Sequence, residues 1–191
     1  MAFDRELLMV NKKLKSTVSP QRYQHSIRVM KKALEYAKIY NIDNSVVKIT
    51  ALAHDIAREM TKEESYRYIK DNKLPQYLLD EENYPLIHGA IGADICKKNY
   101  LFTEDMSNAI RYHTTGRKNM SILEKIIYLA DKNEDGRNYP SVYNQRELAL
   151  KSLNNAMILT LKNSIHFTIQ KHNTVNNYSL EALHFLQKTE E

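Results

Sequence analysis

Apolar residues along this chain recur every third or fourth position and almost nowhere alternate one by one. That spacing predicts helices throughout and no strand. The first is a short amphipathic helix from Phe3 to about Leu14. Ser19-Pro20 then supplies an N-cap and a proline at the first helical position, opening a helix to about Tyr40. On it His25, Val29, Ala33 and Ala37 recur every four residues and define one inward face. After a turn at Asn41 to Asn44, the stretch from Ser45 to about Ala57 is nearly all apolar, so it is expected at the centre.

Thr61-x-x-Glu64 and Ser121-x-x-Glu124 are capping boxes, each opening a helix. Asn83-Tyr84-Pro85 breaks the chain before a helix from about Leu86 to Lys98, and Thr103 caps another that ends near His113. Thr114 to Asn119 is a polar loop, and a second loop spans about Gly136 to Pro140. One long helix is expected over about Tyr143 to Lys171 and a last one over about Leu180 to Gln187. The expected fold class is all-α, a single helical bundle over 1–191. Its core lies at about 19–140. The C-terminal helices, about 141–191, are candidates for packing or for homodimer contact.

Composition narrows the chemistry. With 191 residues the chain buries enough surface to fold without staples. Cys96 is the only cysteine, which excludes an intramolecular disulfide and a cysteine-based zinc site and fits a reducing compartment. The N-terminus lacks the apolar core and small-residue cleavage site of a signal peptide, and no apolar run approaches the ~20 residues of a membrane span. The expected location is the cytoplasm, with no membrane partner. A net charge of +5, from 28 basic and 23 acidic residues, suits a small anionic substrate. No dense basic stripe interleaved with aromatics points to nucleic acid.

The chemistry-bearing groups are His25, the adjacent pair His54-Asp55, His88, His113 and Asp131. Taken alone, His88 reads as a partly buried, hydrogen-bonded histidine, and His113 as a cation at a helix C-terminus. The combination changes the picture. His54-Asp55 ends the most apolar segment, and Asp131 follows LEKIIYLA, with Leu123 and Ile127 on its face. An aspartate in such a place needs a partner or a metal. Imidazole and carboxylate together suit iron, manganese, zinc, cobalt or nickel, and helices donating one ligand each can build a metal site in a helical core. His166, His172 and His184 have polar neighbours and no acidic partner at helical spacing, so they read as structural or surface residues.

Arg22-x-x-His25, Leu52-Ala-His54-Asp55-Ile-Ala, Leu86-Ile-His88-Gly89, His113-Thr-Thr-Gly116 and Ile126-Ile-Tyr-Leu-Ala-Asp131-Lys, with Arg137 six residues beyond, form an ordered set. It resembles the HD-domain metal-dependent phosphohydrolases, specifically the YqeK branch of symmetrical bis(5′-nucleosyl)-tetraphosphatases. The resemblance implies a single HD domain with two divalent metal ions, iron foremost. His25, His54, Asp55 and Asp131 would hold the first; His88 and His113 would hold the second, with Asp55 bridging. It implies His54 and Asp55 as the catalytic pair, and symmetrical cleavage of diadenosine tetraphosphate to two ADP by metal-activated water. Arg22, Arg58, Thr114, Gly116, Arg117, Lys118 and Arg137 are the candidate substrate contacts. The chain departs from the family where Asn133 replaces an apolar residue, Asp135 a frequent proline and Arg58 a common lysine. The ligand set alone also fits an HD phosphohydrolase acting on another nucleotide or phosphoester, or a di-iron oxygenase on the same scaffold.

Overall fold

The structure, a computed structural model, describes residues 2–189; the expected bundle limits at 1 and 191 lie outside this range. The helices are α1 (Ala2–Thr17), α2 (Pro20–Tyr40), α3 (Asn44–Ala53), α4 (Lys62–Asp71), α5 (Ile87–Asn99), α6 (Glu104–Arg111), α7 (Ile122–Asn133), α8 (Val142–Lys151), α9 (Leu153–Gln170) and α10 (Asn177–Thr189). Two 3-10 segments, Gln76–Leu79 and Glu81–Leu86, precede α5. No strand occurs among the described residues.

The caps act where the sequence places them. Ser19 accepts from the Arg22 N–H, Thr103 from Met106, and both capping boxes close. Helices α3 and α7 form the centre. Ile126, Ile127, Tyr128, Leu129 and Ala130 are consecutive and fully buried, so α7 is covered on every side. Helix α2 packs on both central helices, and α6 joins α5 to α7. One apolar core runs continuously from Val10 on α1 to Leu186 on α10. A smaller one, including Ile69, Leu78, Ile87 and Ile91, lies under α4 and the 3-10 segments.

Two elements differ from expectation. Helix α3 stops at Ala53 rather than Ala57, and His54 to Glu59 form turns. The expected helix over Tyr143 to Lys171 is two helices. Ser152 is extended (φ −153°, ψ 116°), ends α8 and caps α9 by accepting from the Asn155 N–H. Helical spacing continues on both sides of the break, which hides it; the serine N-cap is the signal that marks it.

Candidate metal centre

Five segments deliver six side chains to one buried place. His25 comes from the inward face of α2, His54 and Asp55 from the turn after α3, and His88 from the first turn of α5. His113 follows the end of α6, and Asp131 lies near the end of α7. All six are buried.

The early end of α3 sets the central pair. Beyond Ala53 the chain winds tighter: Ile56 N–H donates to the Ala53 carbonyl at 3.0 Å and Arg58 N–H to that of Asp55 at 2.9 Å. His54 Nδ1 lies 2.8 Å from the Ala51 carbonyl, and His113 Nδ1 lies 2.6 Å from that of Ile110. A carbonyl only accepts, so each Nδ1 carries a proton and, in the neutral ring, each Nε2 presents a lone pair.

Asp55 divides the cluster. Its Oδ2 lies 3.4 Å from His54 Nε2 and 3.7 Å from His25 Nε2. Its Oδ1 lies 3.4 Å from His88 Nε2 and 3.6 Å from His113 Nε2. Asp131 Oδ1 joins the first group, 3.1 Å from His25 Nε2 and 4.0 Å from His54 Nε2. In the second group the two Nε2 atoms of His88 and His113 are 3.1 Å apart.

Charge organises the site. Burial alone would raise the pKa of Asp55, but His54 and His113 beside it hold it well below the usual carboxylate range. Burial is likewise overcome at Asp131, by Lys132 and then His25 and His54. Burial, reinforced by His113, pushes His88 well below the ordinary histidine value and keeps it neutral. At His54 burial favours the neutral ring, but Asp55 and Asp131 prevail and raise its pKa.

These residues fit divalent metal. The Nε2 atoms of His25 and His54 are buried without a hydrogen-bond partner, although carboxylate oxygens flank them. Such an atom costs about 1–3 kcal/mol unless something binds it. Donor atoms of His25, His54 and Asp131 lie within 4.8 Å of one another, as do those of His54, Asp55 and His113. Mixed imidazole and carboxylate donors suit first-row transition metals.

The segment carrying these ligands, residues 22–134, matches the model of the HD domain family. The chain belongs to the HD-domain family. HD domains bind divalent metals, and the cluster supplies the groups to do so. The chain is 39% identical over 163 residues to a Bacillus subtilis protein named symmetrical bis(5′-nucleosyl)-tetraphosphatase, covering 85% of this chain and 87% of that one. A Staphylococcus aureus protein of the same name is 33% identical over 180 residues, covering 93% and 92%. Among solved structures, a Clostridium acetobutylicum protein described as a predicted HD superfamily hydrolase involved in NAD metabolism superposes with a TM-score of 0.87. It is 36% identical, with 95% of this chain and 96% of that one covered.

Of the candidate substrate contacts in this HD domain, three arginines reach the cluster. Arg22 Nη1 lies 3.0 Å from Asp55 Oδ2, Arg58 Nη1 3.0 Å from His88 Nδ1, and Arg137 Nη2 2.8 Å from Asp131 Oδ1. Thr114 follows His113 and lines an adjacent cavity. The rest of that loop turns elsewhere. Gly116 has φ +68° and is buried beside Leu161 and Ala182. Both arms of the Arg117 fork bond Glu124, each at 2.6 Å, and Lys118 lies over the Phe185 ring. These contacts give Gly116, Arg117 and Lys118 a structural part in the loop.

Sequence reasoning missed Glu134 and Arg146. Buried Glu134 accepts from His25 Nδ1 at 3.2 Å, and from Arg28 and the Gly136 N–H. Burial would raise its pKa, but Arg28, the Gly136 N–H and His25 lower it. It thus fixes which His25 nitrogen faces the cluster. Its position three residues after Asp131 was the available signal. Arg146 on α8 donates to the carbonyls of Asn133, Glu134 and Arg137, pinning the loop that presents Arg137. The departure at Asn133 is accommodated by its amide donating to the Tyr36 hydroxyl at 3.2 Å, and exposed Asp135 pairs with Lys32. His166, His172 and His184 are exposed, and Cys96 is buried, where burial raises its thiol pKa.

Proposed function

We propose that this chain is a metal-dependent hydrolase that cleaves diadenosine tetraphosphate symmetrically into two ADP. The observation that carries the reading is the division of one buried donor set by Asp55, with an oxygen turned to each group of histidines. The names of the relatives supply the substrate. Two divalent ions suit the six donors. His25, His54, Asp55 and Asp131 would hold one; His88, His113 and the other Asp55 oxygen would hold the second. Iron follows from the family resemblance, and manganese, cobalt, nickel or zinc match the same donors. The continuous core supports one HD domain over the whole chain. No helix among the described residues is long and apolar enough to cross a membrane; the cytoplasm is the proposed location.

When bound, divalent metal neutralises phosphate oxygens and activates a water. The protein's own groups do the rest. Arg22 and Arg58 each tie one nitrogen to the cluster, and Arg137 bonds Asp131 through both Nε and Nη2. Arg22 and Arg137 keep 31% and 37% of their side chains exposed, leaving further N–H donors for a phosphate chain. Water oxygen joins one central phosphorus, the bridging oxygen leaves with the other, and two ADP result. His54 and Asp55, locked by the turn after α3, hold the reacting region still.

Metal-reconstituted protein incubated with diadenosine tetraphosphate, with His54→Ala as control, tests the reading. ADP alone, lost in the variant, is the expected product. AMP plus ATP would keep the phosphohydrolase and remove the symmetrical cleavage. Oxygen uptake without hydrolysis would favour the oxygenase.

A further inference from the structure

The corner of the centre around Asp131 holds more positive charge than its carboxylates need. Two buried carboxylates lie there, Asp131 and Glu134, and three cations pair with them, Arg28, Lys132 and Arg137. Arg28 takes Glu134, which also accepts from the Gly136 N–H. That leaves two cations on Asp131, each with its own oxygen. Lys132 Nζ lies 2.9 Å from Oδ2, and Arg137 Nη2 lies 2.8 Å from Oδ1, the oxygen turned to His25 and His54. The two cations are held differently. Lys132 follows Asp131 on α7, where adjacent side chains do not face each other, so the lysine bends back to make its bond. Its ammonium lies over the ring of fully buried Tyr128, 5.6 Å from the centroid, and Asp131 is its one ion pair among the described residues. Arg137 is more exposed, at 37% against 25%, and has a second hold, Nε donating to the Asp131 carbonyl at 3.0 Å.

We propose that Lys132 is a positioning residue: it neutralises Asp131 in place of Arg137 and so leaves the Arg137 guanidinium free to bind a phosphate of the substrate. The proposal rests on the nucleotide hydrolase reading and adds how this chain releases an arginine to the phosphate chain. The reason is the cost of an unpaired charge. Stripping a buried carboxylate of its last cation is strongly unfavourable, so Asp131 would retain Arg137 if Arg137 were its only partner. With Lys132 on Oδ2 the carboxylate stays paired whichever way Arg137 turns. Each side chain suits its task. An ammonium is a point charge and serves in a fixed place, whereas the guanidinium can keep its Nε on the Asp131 carbonyl and offer Nη1 and Nη2 to phosphate oxygens.

The test is calorimetric titration of the full chain, without metal, with ADP as the phosphate probe. Lys132→Met keeps an unbranched side chain beside Tyr128 and removes the charge. Asp131 then retains Arg137, and ADP is expected to bind about tenfold more weakly, the loss of one charge-assisted hydrogen bond. In an Asp131→Asn background no anion holds Arg137, so the same Lys132→Met change is expected to cost less than about threefold. A direct pull of Lys132 on the phosphate would give equal losses in both backgrounds, and a packing role would lower Tm in both without this difference in affinity. Equal losses, an unchanged affinity in Lys132→Met, or no ADP binding to the parent overturns the proposal. If Lys132→Met alone does not fold, the comparison within the Asp131→Asn background, where no carboxylate is left unpaired, decides: a loss of about tenfold there overturns the proposal, and a loss below about threefold supports it. A parent that shows the expected pattern but releases no ADP from diadenosine tetraphosphate with metal loses the hydrolase reading and keeps the role of Lys132.

Discussion

Gly89 and Arg111 meet so closely that a Cβ on Gly89 would stand 2.7 Å from the Arg111 carbonyl oxygen and 3.1 Å from that of Ile110. This contact lets the start of α5 lie against the end of α6, and with it His88 against His113. Gly89→Ala should therefore act on fold and centre together. Alanine gains about 1 kcal/mol of helix propensity, but a clash with backbone cannot relax by a rotamer change, and overpacking costs about 1–3 kcal/mol. The expected result is a lower Tm and weaker divalent metal binding by calorimetry. A variant more stable than the parent would show that the two helices are free to separate.

Glu134→Gln keeps the size of the side chain and removes the carboxylate that orients His25. Loss of such an outer partner typically weakens metal affinity 10–100-fold. That range is expected here in a metal titration, with the helical circular dichroism preserved. Unchanged affinity would remove Glu134 from the centre.

Arg117→Ala separates loop stability from substrate binding. It leaves the buried Glu124 carboxylate with only the Ser121 N–H of its capping box in place of the guanidinium, at a cost of about 1–3 kcal/mol, or roughly 2–12 °C in Tm for a chain of this size. Arg117→Lys should rescue little of it, since an ammonium cannot reproduce the two-armed fork. KM for the dinucleotide should stay near the parent value. A raised KM at unchanged Tm would return Arg117 to the substrate.

Acid should destabilise the metal-free protein through Asp55 and Asp131. Both are held well below the usual carboxylate range in the folded state, against ~3.9 when unfolded. Their contribution is therefore complete above about pH 4 and is lost as the pH falls through the folded values. Tm measured from about pH 6 to pH 2 should drop on its acid limb, and Asp131→Asn should flatten that limb. An identical limb in the variant would assign the acid sensitivity elsewhere.

The sequence by itself determined where most helices begin, their caps and the short list of residues able to do chemistry. Ser19-Pro20, Thr61 and Ser121 are local signals, acting within one turn, and a helix needs nothing more distant to begin. The burial of α7 was legible in its unbroken apolar run. Tertiary structure decided what spacing cannot encode. It ended α3 at Ala53, where side chains from α2, α5, α6 and α7 surround His54 and Asp55. It assigned each Asp55 oxygen its own pair of histidines, turned Arg117 away to Glu124, and brought Glu134 to the back of His25. Local signals operate through hydrogen bonds within a few residues. A site is set by which buried groups lack any other partner, and only the packed chain decides that.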